Sequence, residues 1–162
     1  MMFRAIHSHY VTVTKEIALT RDTRPPRPRR NLVMIPIGAV NKAVIRAVDY
    51  ARSRGGDVRA VLVDVSPEET ALVEIKWAQW GCGVPLVVIP SPYRSVLGSL
   101  LDYIEEHLEK DPECWITVVL PEILPAHWWQ NVLHGQRALL LKGALLFKDR
   151  VVVTDVPYHM TK

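Results

Sequence analysis

Short unbroken runs of Val, Ile and Leu recur along this chain, and between them apolar residues return every three or four positions. The runs are residues 32–37, 58–65, 85–90, 115–120 and 151–156. Continuous apolar runs without polar alternation predict strands covered on both faces. Residues 41–53 carry Val44, Ile45, Val48 and Tyr50 at helical spacing, and Gly55-Gly56 closes that helix. Ser66 and Pro67 open a second helix, predicted over 67–80 and stopped by Gly81, with Glu69 three residues after Ser66 as in a capping box. A third helix is predicted over 95–110, with Leu97, Leu100, Leu101, Ile104 and Leu108 on one face. A fourth is placed around Trp128-Trp129, between the fourth and fifth strands. This βα alternation predicts an α/β fold: a doubly wound, five-stranded parallel sheet in a Rossmann-like three-layer α/β/α arrangement. The last strand is a candidate exposed edge, and a two-fold dimer is expected to use it together with the Leu-rich helix before it.

At 162 residues the chain is expected to hold one main domain with a real core. Its apolar stretches are too short to cross a bilayer, and its start lacks the apolar core of a signal peptide. Cys82 and Cys114 lie far apart without metal-ligand spacing and read as free thiols in a reducing compartment. The net charge of +3 is uneven: residues 1–30 hold seven Lys/Arg against two acidic residues, a net of +5, so the remainder carries −2. Residues 21–30, RDTRPPRPRR, form a Pro/Arg linker with no apolar residue to bury. They read as a solvated tether, or as a basic segment drawn to anionic headgroups. Nucleic-acid binding is not expected, because the body offers no basic face. Ahead of the linker, residues 7–20 form a short amphipathic arm with Tyr10, Val13 and Ile17 on one face.

Several chemistries are excluded by what is missing. The segment after the first strand, IGAVNKAV, fits neither a dinucleotide fingerprint nor a P-loop. No Gly-x-Ser-x-Gly elbow is present, and the six histidines show no ligand spacing with carboxylates. Cys82, between two glycines, reads as a small buried filler. No catalytic residue, metal site or cofactor is therefore expected.

The candidate chemistry is that of gripping a ligand. Residues 120–142 carry His127, Gln130, Asn131, His134, Gln136 and Arg137 between two apolar runs, at a strand tip where open α/β folds hold ligands. His134 and Arg137, three apart on a helix, can converge, and Gly135 permits close backbone approach. Arg94, in SPYRS after the third strand, reads equally as a carbonyl cap or as a bidentate phosphate grip. Trp128 and Trp129 point about 100° apart on a helix, one toward the core and one toward a surface contact. Asp64 reads as a turn cap rather than a ribose ligand.

The phrases HSHY, MIPIGAVNKAVIRAVDYARS, VPLVVIPSPYRSVLGSLLDYIE, TVVLPEILPAHWWQNVLHGQRALLLKGALLF and VVVTDVPYH carry a resemblance over nearly the whole chain. It resembles the universal-stress-protein-like cytosolic C-terminal domain of permeases of the amino acid–polyamine–organocation superfamily. That resemblance implies a juxtamembrane arm at 1–20, a linker at 21–30 and a regulatory domain at 31–160, on the cytoplasmic side of the plasma membrane. It also implies partners: a second copy, the transmembrane part of the same transporter, and an adenine nucleotide. The family includes potassium importers whose cytosolic domains bind cyclic di-AMP and are inhibited by it. On that footing the nucleotide-binding residues are expected to be Arg94, His134, Gln136 and Arg137. The Gly-x-x-Gly and Gly-Ser/Thr phosphate motif of ATP-binding universal stress proteins is absent, which argues against ordinary ATP binding. Two alternatives remain: a purely structural dimerisation module, and a free-standing adenine-nucleotide-binding stress protein. An arm over residues 1–20 suits a domain that follows a membrane helix better than a free-standing one.

Overall fold

The computed structural model describes residues 29–91, 95–124 and 136–160 (the backbone alone over 136–138), with isolated positions in the first twenty. Five strands, β1 (Asn31–Ile37), β2 (Asp57–Asp64), β3 (Leu86–Pro90), β4 (Trp115–Leu124) and β5 (Val151–His159), form one sheet. Four helices connect them: α1 (Lys42–Ser53), α2 (Pro67–Trp80), α3 (Val96–Lys110) and α4 (Gln136–Leu146). The strand order is β3-β2-β1-β4-β5, and every neighbouring pair is parallel. The expected three-layer α/β architecture is therefore present. The predicted Trp-pair helix falls on residues 125–135, outside the described residues, and the described α4 starts at Gln136.

β1 is the middle strand, and its period-two alternation serves two cores at once. Val33, Ile35 and Ile37 pack with Val44, Ala47, Val48 and Ala51 of α1 and with Val73 and Trp77 of α2. Leu32 and Met34 point the other way, onto Leu100, Ile104 and Leu108 of α3 and Leu145 of α4. Both faces of β1 are closed, as its uninterrupted apolar run requires. In α1 the buried stripe is richer in alanine than the spacing alone suggests: Ala43, Ala47 and Ala51 are buried, whereas Ile45 and Tyr50 are only half-buried. Small side chains there bring the helix axis close to the sheet.

The helix ends follow their capping chemistry, with one exception. The Asn41 side chain accepts from Val44 N at 3.0 Å, and Ser95 Oγ accepts from Gly98 N at 3.2 Å. The capping box expected between Ser66 and Glu69 is not formed. Ser66 Oγ donates instead to Glu68 Oε2 at 2.9 Å, because Pro67 occupies the first turn and brings the nearer carboxylate into reach. At the other end of α2, Trp77 Nε1 donates to Val84 O at 2.8 Å. A Cβ on Gly81 would lie 2.5 Å from that indole nitrogen, so glycine is required for the turn to close over it. Cys82 is exposed and left-handed (φ 54°), not a buried filler, because it sits at the tip of this turn.

Arg150 is a structural residue that sequence patterning does not reveal. It stands at φ 62°, where a side chain costs about 1 kcal/mol. Its guanidinium donates to Pro112 O at 2.8 Å, Asp111 O at 3.2 Å and Cys114 O at 3.4 Å through Nη1, and to Leu108 O at 3.2 Å through Nη2. One side chain thus caps the C-terminus of α3 and the turn into β4, and its own carbonyl accepts from Ile116 N to start the β4–β5 ladder. Arg150→Ala is expected to destabilise the fold by about 2 kcal/mol, the scale of charge-assisted hydrogen bonds. Arg150→Gly, which relieves the left-handed strain, should lose about 1 kcal/mol less. Urea unfolding of the three proteins measures both differences.

Candidate functional site

β1 and β4 pair only from Asn31↔Trp115 to Met34↔Val118, although both strands continue. Beyond that point Pro36 lies on β1 and Pro121 on β4. A proline has no N–H to donate to a ladder, so a proline on each strand favours their parting here. β1 stays with β2 as far as Ile37↔Leu62, and β4 stays with β5 as far as Leu124↔His159. The fork between the two pairs is the topological switch point of the sheet, the crevice where open α/β folds take ligands.

A cleft of about 760 Å³ occupies this fork. Pro36, Ile37, Val63, Leu120 and Pro121 come from the C-terminal strand ends, Gly38 and Ala39 from the loop after β1, and Leu140 and Leu141 from α4. The first turns of α1 (Asn41, Ala43, Val44) and of α3 (Ser95, Val96, Leu97) complete it. Asn41 and Ser95 carry its only polar side chains among the described residues, and each is engaged in capping its own helix. A Cβ on Gly38 would meet nothing within 4 Å, so the loop leaves the space beside it open. Two helix N-termini therefore border a greasy slot, which offers partial positive charge and backbone donors beside apolar walls. Among the described lining residues there is no acid, base or free nucleophile. Such a cleft can hold a flat apolar group and an anionic one; its described groups cannot perform acid–base chemistry.

Of the residues predicted to bind nucleotide, Arg94 and His134 lie outside the described residues, and so do the side chains of Gln136 and Arg137. In the chain, Arg94 directly precedes the lining residue Ser95, and Gln136 and Arg137 open the helix whose Leu140 and Leu141 form a wall. Asp64 accepts from Thr70 Oγ1 at 2.8 Å, a side-chain contact that ties the end of β2 to the first turns of α2. Sequence reasoning missed the walls themselves: Leu97, Leu140 and Leu141 look like ordinary core residues, and only Pro36 and Pro121 near strand ends mark the fork. Among the described residues no group of His, Cys, Asp and Glu is arranged to hold a metal ion.

One ion cluster fixes the α4 wall. Lys142 Nζ lies 2.9 Å from Asp155 Oδ1 on β5 and 3.6 Å from Glu122 Oε2 on β4. Partial burial works against its charge, but hydrogen bonds to and charges of Asp155 and Glu122 outweigh it, and the ammonium pKa lies above its ordinary 10.5.

The fold and its fork define an open, doubly wound α/β domain with a cleft at its switch point. A family model described as the KimA potassium transporter C-terminal domain matches residues 29–158, and the chain belongs to that family. The potassium transporter KimA of Bacillus subtilis (strain 168) is 30% identical over 164 aligned residues. That similarity takes in 100% of this chain and 27% of the relative, so the chain spans about a quarter of the relative's length. Among the described residues, no helix is long and apolar enough to cross a membrane. The family is associated with a transporter and is not an enzyme family.

Because the Lys142 pKa is raised on folding, its stabilising contribution is complete below pH 10.5 and is lost as pH rises through the folded-state value. Lys142→Met should cost about 0.5–1 kcal/mol at neutral pH. The gap to wild type should then narrow above pH 10.5, as denaturant midpoints over an alkaline series will register.

Proposed function

We propose that this chain is the cytosolic regulatory and dimerisation domain of a potassium transporter of the amino acid–polyamine–organocation type, and that it senses an adenine nucleotide, cyclic di-AMP above others. The fork carries the reading. An adenine ring suits its apolar walls, and phosphates suit the two helix N-termini at its rim. Arg94 and Arg137 supply cations where the body is otherwise net negative, with His134 and Gln136 as hydrogen-bonding partners. A two-fold dimer meets a two-fold symmetric dinucleotide with two copies of that set, which ATP cannot exploit. The basic linker at 21–30 supports a location on the cytoplasmic side, where anionic headgroups would attract it.

The dimer contact proposed is β5 with α4. β5 is a terminal strand of the sheet, and Val152 on it is exposed. Beside it Leu139 is 70% exposed and Phe147 89%, an apolar surface that an isolated copy leaves to water. Nucleotide binding regulates the transporter only if it favours one arrangement of domain and membrane part over another.

Calorimetric titration with cyclic di-AMP, ATP and AMP in parallel tests the ligand. Cyclic di-AMP should bind tightest, and Arg137→Ala should weaken it by about 1.5–3 kcal/mol, the loss of one charge-assisted hydrogen bond. Equal affinity in wild type and in Arg94→Ala/Arg137→Ala would place the site elsewhere. Light scattering should give a dimer; a monomer at high micromolar concentration would remove the β5 contact, and no heat from any nucleotide would leave only a structural module.

A further inference from the structure

α2 carries two apolar stripes where a surface helix needs one. Thr70, Val73 and Trp77 are buried against the domain. On the opposite side Leu72 and Ile75 are 60% and 69% exposed, with exposed Ala71 and Ala78 along one flank. Contiguous exposed side chains of this kind mark a contact surface, unlike scattered single ones. The helix precedes β3, the edge of the sheet opposite β5, so this face is separate from the contact proposed above.

The charges around the stripe indicate what covers it. At about 100° per residue, Glu68 and Gln79 extend the Leu72–Ile75 line at its two ends, Glu69 and Lys76 fall together on one flank, and Glu74 points away, about 130° from the line. All are exposed, and Glu69 and Lys76 have no ion-pair partner among the described residues. We propose that α2 pairs with α2 of a second copy of this chain, antiparallel and two-fold about the midpoint of Leu72 and Ile75. In that arrangement the same flanks of the two helices adjoin, and Lys76 of each copy comes within about one helical turn of Glu69 of the other. Leu72 of one helix then lies against Ile75 of the other, and the alanines let the helices approach closely. The face is self-complementary in shape and charge, whereas a uniformly basic or acidic partner would match only part of it. A single helix face is at the small end of specific interfaces, so the association is weak and concentration-dependent.

Sedimentation of the full chain, up to about 0.5 mM as a small interface demands, tests the pairing. Leu72→Asp/Ile75→Asp should weaken self-association at least tenfold. Lys76→Glu and Glu69→Lys, both on exposed surface, should each weaken it at least fivefold, because each sets like charges against each other. An equimolar mixture of these two variants should associate as wild type does, since opposite charges again meet across the contact. Glu74→Gln, about 130° from the facing line, should leave it unchanged. A wild-type chain that stays monomeric overturns the proposal, as does association that none of the α2 variants changes; the latter result would assign all association to other surfaces, β5 among them.

Discussion

The parting of β1 from β4 after Met34↔Val118 is the constraint on which the rest of the architecture depends. Up to that pair the sheet is continuous and both faces of β1 are sealed. Past it, β1 belongs to one half of the molecule and β4 to the other. Each half keeps its own ladder, so the opening sacrifices few backbone hydrogen bonds, and prolines at 36 and 121 have no N–H to leave stranded. The cleft is a consequence of strand pairing and not of a missing side chain. It arises at the same place as the reversal of winding, because α1 and α2 close one face while α3 and α4 close the other.

Polar interactions hold the N-terminal ends of the strands where packing does not. Arg150 binds four carbonyls between Leu108 and Cys114 and thereby sets the start of β4 relative to α3. An ion pair from Lys148 to Glu105 joins the end of α4 to α3, and Thr117 Oγ1 donates to Asn31 Oδ1 across the β1–β4 pair at 3.0 Å. These contacts cluster at the ends of the strands, leaving the centre of the sheet to Met34, Ile35, Ile116 and Val118, all fully buried. Hydrophobic burial sets the sheet, and directional contacts fix the N-terminal ends of its strands, opposite the fork.

The five strands and the connecting helices, the Leu-rich one before β5 among them, were legible in the sequence because Val/Ile runs and helical spacing leave few alternatives at this length. The ends of β4 and β5 were not. Residues 121–124 and 157–159 follow or include prolines and look like loop. Beyond Val118, however, β4 has β5 as its one described partner, and β5 is itself an edge, so prolines are tolerated in both. The cleft was less legible than the fold. Its lining is aliphatic, and an aliphatic wall reads the same as a core residue until the topology shows which side of it is empty. The polar candidates in the loops were chosen by chemistry alone. Sequence places Arg94 beside Ser95, and Gln136 and Arg137 one turn before Leu140 and Leu141, which bears on the neighbourhood of those residues and not on their geometry.

α4 is shared between two of the interactions proposed for this domain, the ligand in the fork and the β5 contact. Leu140 and Leu141 form a wall of the cleft, Leu139 and Leu146 are exposed, and Leu145 is fully buried in the core. A ligand seated in the fork presses on one side of the helix and a second copy on another, so each would favour the helix position that suits it. If those positions differ from that of the free domain, the two bindings are linked: each raises the affinity for the other where both favour the same position and lowers it where they do not, by the same factor in both directions. Lys142 limits how far this can go, since its bridge to Asp155 and Glu122 ties α4 to both β4 and β5. Coupling by a large swing of α4 would have to break that bridge. Small shifts of α4 together with the β4–β5 pair would not, and the opening between β1 and β4 leaves that pair room to move against β1.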